Sequence, residues 1–182
     1  MQNKNKTQNI ILCSFFAALS GIFAQIIIPL PFTPVPISLA SLCVIFSGLI
    51  LGPRIGAISQ IVYLLIGAVG LPVFSRMQGG FSVLFGESGG FLLSYPIIAL
   101  ITGLMVKKAG VSRKTCLIAG SISSLICYIC GSLWFMLISG ATPAAAIIKC
   151  ILPFLIGDAL KTAFIATFAP SIYSSLAHRI QK

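Results

Sequence analysis

Two residues of opposite charge, Asp158 and Lys161, lie three positions apart inside an apolar run that covers roughly residues 144–169. A charge at the centre of a bilayer costs about 2.5–3.5 kcal/mol on insertion scales, and such charges usually face a partner, a cavity or a ligand. On a helix this spacing brings both side chains to one face, with their Cβ atoms about 5–6 Å apart. The pair is therefore either a self-sufficient buried ion pair or a polar ligand site inside a membrane bundle.

The chemistry of this pair favours an anionic ligand such as a carboxylate. An ammonium on a dry helix face is a partner for a buried carboxylate, which is very costly to leave unpaired. A nearby opposite charge offsets the desolvation of the ammonium. Asp158 is expected either to orient the Lys161 ammonium or to accept hydrogen bonds from ligand N–H groups, and the sequence does not choose between these roles.

The composition indicates an integral membrane protein. The chain has 182 residues, of which 58% are hydrophobic and 8% are charged, whereas a soluble domain carries about 25% charged residues. At about 20 residues per membrane-spanning helix, this length suits one all-α membrane domain, residues 1–182, with six transmembrane helices and short loops. We predict the spans at approximately 10–30, 37–52, 55–74, 89–106, 115–139 and 144–169.

The residue types argue against an enzyme, a metalloprotein and a nucleic-acid-binding protein. The one histidine, His178, lies in the basic tail, and the sequence has no P-loop, no dinucleotide fingerprint and no metal-ligand cluster. We therefore expect no catalytic residue, no cofactor and no metal, and a small intramembrane enzyme is the weaker alternative. The net charge of +10 fits cytoplasmic loops better than a nucleic-acid site, because no soluble basic domain is present to carry one.

The distribution of basic residues predicts the orientation in the cell membrane. With both termini in the cytoplasm, nine of the 12 Lys and Arg residues lie inside, as the positive-inside rule requires. Those nine are Lys4, Lys6, Arg54, Lys107, Lys108, Arg113, Lys114, Arg179 and Lys182. Only Arg76 then lies in an outer loop, with Lys149 near the outer end of the last span. Arg76 is expected to pair with Glu87, the second acidic residue of the chain, in the same loop.

Two segments of unusual composition lie on the outer side in this topology. Pro29–Pro36 contains four prolines in eight residues, which favours a stiff, extended connector. Gly-Gly pairs at 79–80 and 89–90 flank an apolar patch too short to span. We expect a partly re-entrant loop or lid, with a flexible surface loop as the alternative. Glycine permits close approach of the backbone to a ligand, and both segments are placed to cap a pocket above Asp158 and Lys161.

The first predicted span carries small residues at helical spacing on one face. Ala17 and Gly21 lie four residues apart, and Ala24 continues the stripe. Such faces let two helices approach closely. The helix that packs there belongs either to this chain or to a separate membrane protein, and the pattern leaves both open.

The order and spacing of five short motifs resemble the BioY family, the biotin-specific substrate-binding subunits of energy-coupling factor (ECF) transporters. The resemblance covers most of residues 10–170. The motifs are Pro34–Leu39, Leu51–Gly56, Tyr63–Phe74, the double Gly-Gly loop and Leu152–Lys161. Each motif alone is weak, and their combination is specific. The chain departs from the family at Glu87-Ser88, where Pro-Thr is frequent, and at Ala40, near which a glutamine is frequent.

The resemblance implies a biotin pocket that opens to the outside and a role in high-affinity biotin uptake. It implies a membrane-embedded coupling subunit and two cytoplasmic ATPase subunits as partners, besides the lipid bilayer. A subunit of the same architecture for another vitamin is the alternative. The residues that match the family's binding motifs are Asp158, Lys161, Gly79, Gly80, Ser88, Gly89 and Gly90. Ala17 and Gly21 match the small-residue motif that docks on the coupling subunit.

Overall fold

The computed structural model describes residues 2–28 and 35–180, with the side chains of 6–28 and 35–175. The predicted proline connector therefore lies largely outside the described residues, as do the side chains of Lys4, His178, Arg179 and Lys182. Seven α-helices occur in the described part. They are α1 (Gln2–Gln25), α2 (Ala40–Ala68), α3 (Phe81–Leu84), α4 (Gly89–Ala109), α5 (Arg113–Ser139), α6 (Pro143–Cys150) and α7 (Leu152–Ile180). Two-residue strands, β1 (Ile27–Ile28) and β2 (Ile37–Ser38), pair antiparallel between α1 and α2.

Within the described residues, five helices are long and apolar enough to cross a membrane. Their apolar stretches are Lys6–Gln25, Ala40–Ala68, Gly89–Ala109, Arg113–Ser139 and Leu152–Ser175. Each contains few charges, because a charge facing lipid has no partner there. The predicted class, an all-helical membrane protein, is confirmed by this architecture.

Helix α2 is a hairpin of two helical halves, 40–51 and 53–68. Gly52 has φ 79° and ψ 178°, outside the helical region, and Pro53 follows it. The Gln60 side-chain amide donates to Ser47 Oγ at 3.1 Å, although a straight helix would separate these residues by about 20 Å. A Cβ added at Gly56 would lie 2.8 Å from the Ser47 carbonyl oxygen, so the halves pack backbone to backbone.

A buried amide joins α1 to both halves of α2. Ser20 Oγ of α1 donates to Gln60 Oε1 at 3.1 Å, and Gln60 Nε2 donates to Ser47 Oγ and to Ser59 Oγ at 3.1 and 3.2 Å. Buried polar groups are stable only when they find such partners. This network stabilises the close packing of α1 on the hairpin, where much of the apolar core lies.

The last predicted span, 144–169, is two helices rather than one kinked helix. The short helix α6 ends at Cys150, and α7 begins at Leu152 after a turn at Ile151. Pro153 thus lies in the first turn of α7, where its missing N–H leaves no helical bond unmade. The proline therefore marks the start of α7, before the turn that carries Asp158.

Candidate functional site

Asp158 and Lys161 lie in the second and third turns of α7 and form an ion pair, with Lys161 Nζ 2.9 Å from Asp158 Oδ1. The side chain of Lys161 is 9% exposed and that of Asp158 is 14% exposed. Two other helices supply further partners. Lys161 Nζ donates to Ser41 Oγ of α2 at 3.0 Å, and the Tyr128 hydroxyl of α5 donates to Asp158 Oδ2 at 2.6 Å. We call these four residues the polar floor.

The hydrogen bonds of the polar floor bear on the two roles left open for Asp158, and both roles stay predictions. Both carboxylate oxygens are engaged, one by Lys161 and one by Tyr128. The aspartate is thus placed to orient the ammonium, and each oxygen keeps a second lone pair that can accept from a ligand N–H. An ammonium has three N–H donors, and two of them point to Asp158 and Ser41, which leaves one donor for a ligand.

A cavity of about 410 Å³ opens above the polar floor, and all four floor residues line it. This volume falls within the range of about 300–1,000 Å³ typical of small-molecule sites. Its lining includes the aromatic and apolar side chains of Phe74, Phe91, Leu92, Tyr95 and Phe154. A second polar set also lines the cavity: Arg76, Gln78 and Ser82 are exposed and mark its mouth, and Glu87 and Ser88 are half-buried.

The four glycines of the double Gly-Gly loop are outside the cavity lining, and Gly79, Gly89 and Gly90 pack closely against neighbouring residues. A Cβ at Gly79 would lie 2.8 Å from the Gly70 carbonyl oxygen, and Gly80 has φ +99°. A Cβ at Gly89 would lie 3.0 Å from Trp134 Nε1, and Gly90 packs on the same tryptophan. Gly79 therefore lets the loop approach the segment that follows α2, and Gly89 and Gly90 let the start of α4 approach α5. Direct contact of the four glycines with a ligand stays a prediction.

The close packing of this loop places its other residues in the cavity wall. Trp134 Nε1 donates to the Gly86 carbonyl at 2.9 Å, and Gly86, Glu87 and Ser88 all line the cavity. Within the described residues the ion pair found is that of the polar floor, so the expected pairing of Arg76 with Glu87 is wrong. Arg76 precedes α3 in the sequence and Glu87 follows it. Both side chains line the cavity without pairing with each other.

The small-residue face of α1 lies against this chain itself. Ala17 and Ala24 are buried, and a Cβ at Gly21 would lie 3.3 Å from Val73 Cβ. In the isolated chain this face packs on the segment that follows α2. Docking of a second protein through Ala17 and Gly21 stays a prediction for the assembled state.

Sequence reasoning missed Ser41 and Tyr128. A serine at the start of an apolar run and a tyrosine within one are common in membrane helices, so neither pattern indicated a site. They become part of the polar floor only because α2, α5 and α7 converge there.

Comparison with known proteins identifies the family. The BioY family model matches residues 1–178. A protein of Pyrococcus horikoshii named "Probable biotin transporter BioY" is 33% identical over 158 residues, which cover 87% of this chain and 91% of the relative. A protein of Lactococcus lactis subsp. cremoris named "Biotin transporter BioY2" is 26% identical over 178 residues, or 98% of this chain and 96% of the relative.

The fold is similar to a crystal structure described as the S-component for biotin from an ECF-type ABC transporter. The TM-score is 0.87 and the sequence identity 25%, over 96% of this chain and 95% of that chain. The helical bundle is therefore shared over nearly the whole of both chains. Because the family model also covers residues 1–178, this chain belongs to the BioY family.

Proposed function

We propose that this protein binds biotin and serves as the substrate-specific subunit of an ECF-type transporter for biotin uptake. Its relatives are named as biotin transporters, and the similar crystal structure is described as a biotin S-component. The observation that carries the proposal is the buried Lys161 ammonium, which has one uncommitted donor at the floor of a cavity of about 410 Å³ lined by both polar and apolar groups. The protein acts as a transporter subunit rather than as an enzyme.

The cavity suits the three parts of biotin. The valerate carboxylate is ionised at neutral pH, and the free N–H of Lys161 is a charge-assisted donor for it. Asp158, held by Tyr128, keeps the ammonium in place. The apolar walls surround the bicyclic head. The second polar set, which includes Ser88, provides hydrogen-bonding groups for the ureido ring.

In the membrane we propose six crossings, made by α1, the two halves of α2, α4, α5 and α7. Both termini and the turn at Gly52 then lie in the cytoplasm. The cavity mouth and the Gly-rich segment, residues 79–90, lie on the outer face, where that segment acts as a lid that partly re-enters the membrane. This arrangement is supported by the hairpin geometry of α2 and by the positive-inside rule.

The proposed partners are a transmembrane coupling subunit and two cytoplasmic ATPase subunits. The docking surface is the α1 face that carries Ala17 and Gly21. Because that face is covered by the segment at Val73, docking through it requires this segment to move away when the complex assembles.

The function is tested by titrating the purified chain in lipid nanodiscs with biotin, thiamine, riboflavin and folate by calorimetry. Biotin is expected to bind tightly and the other vitamins not to bind. Binding of another vitamin in place of biotin would refute the proposal in favour of a different substrate. Turnover of a lipid or peptide by the chain would refute it in favour of an enzyme.

A further inference from the structure

The mouth of the cavity includes a short turn that closes on itself. Ser75–Met77 forms a single 3₁₀ turn. The Phe74 N–H donates to the Gln78 carbonyl at 2.9 Å, and the Gln78 N–H donates to the Phe74 carbonyl at 3.3 Å. Ser75, Arg76 and Gln78 line the cavity. The position of residues 74–78, which we call the mouth turn, therefore determines the shape of the entrance.

The backbone of the mouth turn is strained. Arg76 and Met77 have φ values of 63° and 56°, and they are the described non-glycine residues with positive φ. Side chains at such positions crowd the backbone, so residues other than glycine rarely adopt this conformation. It persists only where the surroundings over-determine it. Besides its own two backbone bonds, the turn is therefore expected to need contacts from outside that stabilise the closed form.

Gln25, the last residue of α1, provides such contacts. Its Nε2 donates to the Phe74 carbonyl at 3.0 Å and to the Gly21 carbonyl at 3.2 Å. Its Oε1 accepts from the Met77 N–H at 3.0 Å. A single side-chain amide thus bonds to both sides of the strained turn and to its own helix.

We infer that Gln25 is a positioning residue of the binding cavity, a latch that keeps the mouth turn closed. Closed, the turn holds Arg76 and Gln78 in the cavity wall. Released, it relaxes from its left-handed conformation and opens the entrance, so a bound ligand leaves faster. This inference rests on the proposed biotin-binding function for its readout and on the geometry of Gln25 for its mechanism.

The test compares the dissociation rate of labelled biotin from the wild type and from Gln25→Leu, both in nanodiscs. Leucine has nearly the size of glutamine and lacks the amide. Loss of the bonds to the turn is expected to raise the dissociation rate roughly 5- to 30-fold. Gln8→Leu is the matched control, because it makes the same change at an exposed position of α1 and is expected to leave the rate unchanged.

A rescue variant separates the latch from a general role in folding. Met77 is 69% exposed, and its side chain lies outside the cavity lining. Met77→Gly relieves the positive φ without removing a cavity residue. In the Gln25→Leu background it is expected to restore most of the slow dissociation, and alone it is expected to slow dissociation below the wild-type rate. If Gln25→Leu does not fold, the dissociation rate of the single variant Met77→Gly still tests the latch.

An unchanged dissociation rate in Gln25→Leu with a lower melting temperature would overturn the latch, as would an equal rise in Gln8→Leu. Amide hydrogen exchange of residues 74–78 in the ligand-free protein gives a readout that needs no biotin. Gln25→Leu is expected to speed this exchange, and unchanged exchange would also overturn the latch. Failure of the wild type to bind biotin would refute only the proposed function.

Discussion

Replacing Lys161 by methionine removes the ammonium of the polar floor and nearly keeps the length of the side chain. In the structure the ammonium bonds to Asp158 at 2.9 Å and to Ser41 at 3.0 Å, and its third N–H is left for the ligand. A charge-assisted hydrogen bond contributes about 1.5–3 kcal/mol, which corresponds to roughly 10- to 150-fold in affinity. We therefore expect Lys161→Met to weaken biotin binding by that factor or more.

Part of the effect of this substitution falls on stability rather than on the ligand. Asp158 loses its cation and keeps only the Tyr128 hydroxyl, and breaking a buried ion pair costs about 3–5 kcal/mol. The double variant Asp158→Asn, Lys161→Met removes both charges, so it is expected to recover much of the melting temperature. It is not expected to recover the affinity for biotin, because the donor for the carboxylate is still missing.

The assay is calorimetric titration of each variant with biotin and with uncharged biotin amide. The amide lacks the carboxylate that Lys161 is proposed to bind, so its affinity is expected to fall much less. Lys149→Met, at an exposed lysine of α6, is the control and is expected to change neither affinity. Equal losses for biotin and its amide would refute this reasoning and would mean that Lys161 acts only through the structure of the floor.

Three further predictions test the floor, the topology and the docking face. Tyr128→Phe removes the 2.6 Å bond to Asp158 and is expected to weaken biotin roughly 2- to 10-fold by calorimetry; an unchanged affinity would exclude the tyrosine from positioning the aspartate. In a cysteine-free background, an impermeant thiol reagent applied to intact cells is expected to label Gln78→Cys and not Gly110→Cys, and the opposite result would invert the topology. Gly21→Leu is expected to weaken copurification with the coupling subunit more than biotin binding, although the leucine also crowds Val73; loss of binding with assembly intact would limit this face to internal packing.

Several features of the fold follow from local sequence properties. The membrane class depends on the hydropathy of each segment, and a long apolar run has few other stable environments. The turn at Gly52-Pro53 lies between the predicted spans 37–52 and 55–74, because glycine adopts a positive φ and proline starts the next helix. Asp158 and Lys161 share a face because three residues are close to one helical turn. Each conclusion needed only residues near one another in the chain.

Other features depended on which helices pack together. Ser41 and Lys161 are 120 residues apart in sequence, and Tyr128 and Asp158 are 30 apart, so no local pattern indicates either contact. The wrong prediction of an Arg76–Glu87 ion pair has the same origin, since α3 and its flanking turns lie between two residues that are close in the sequence. The latch from Gln25 to the mouth turn likewise joins the end of α1 to a loop beyond α2.

The sequence by itself determined that the chain is a helical membrane protein with a buried acid–base pair suited to an anionic ligand. Only the tertiary structure decided that each carboxylate oxygen of Asp158 already accepts a hydrogen bond. It also decided that Gly79, Gly89 and Gly90 pack closely against neighbouring residues. The physical reason is that hydropathy and helical periodicity act over a few residues. The tertiary packing of the helices instead determines which group a buried polar side chain bonds to. It also determines which neighbour packs against a glycine.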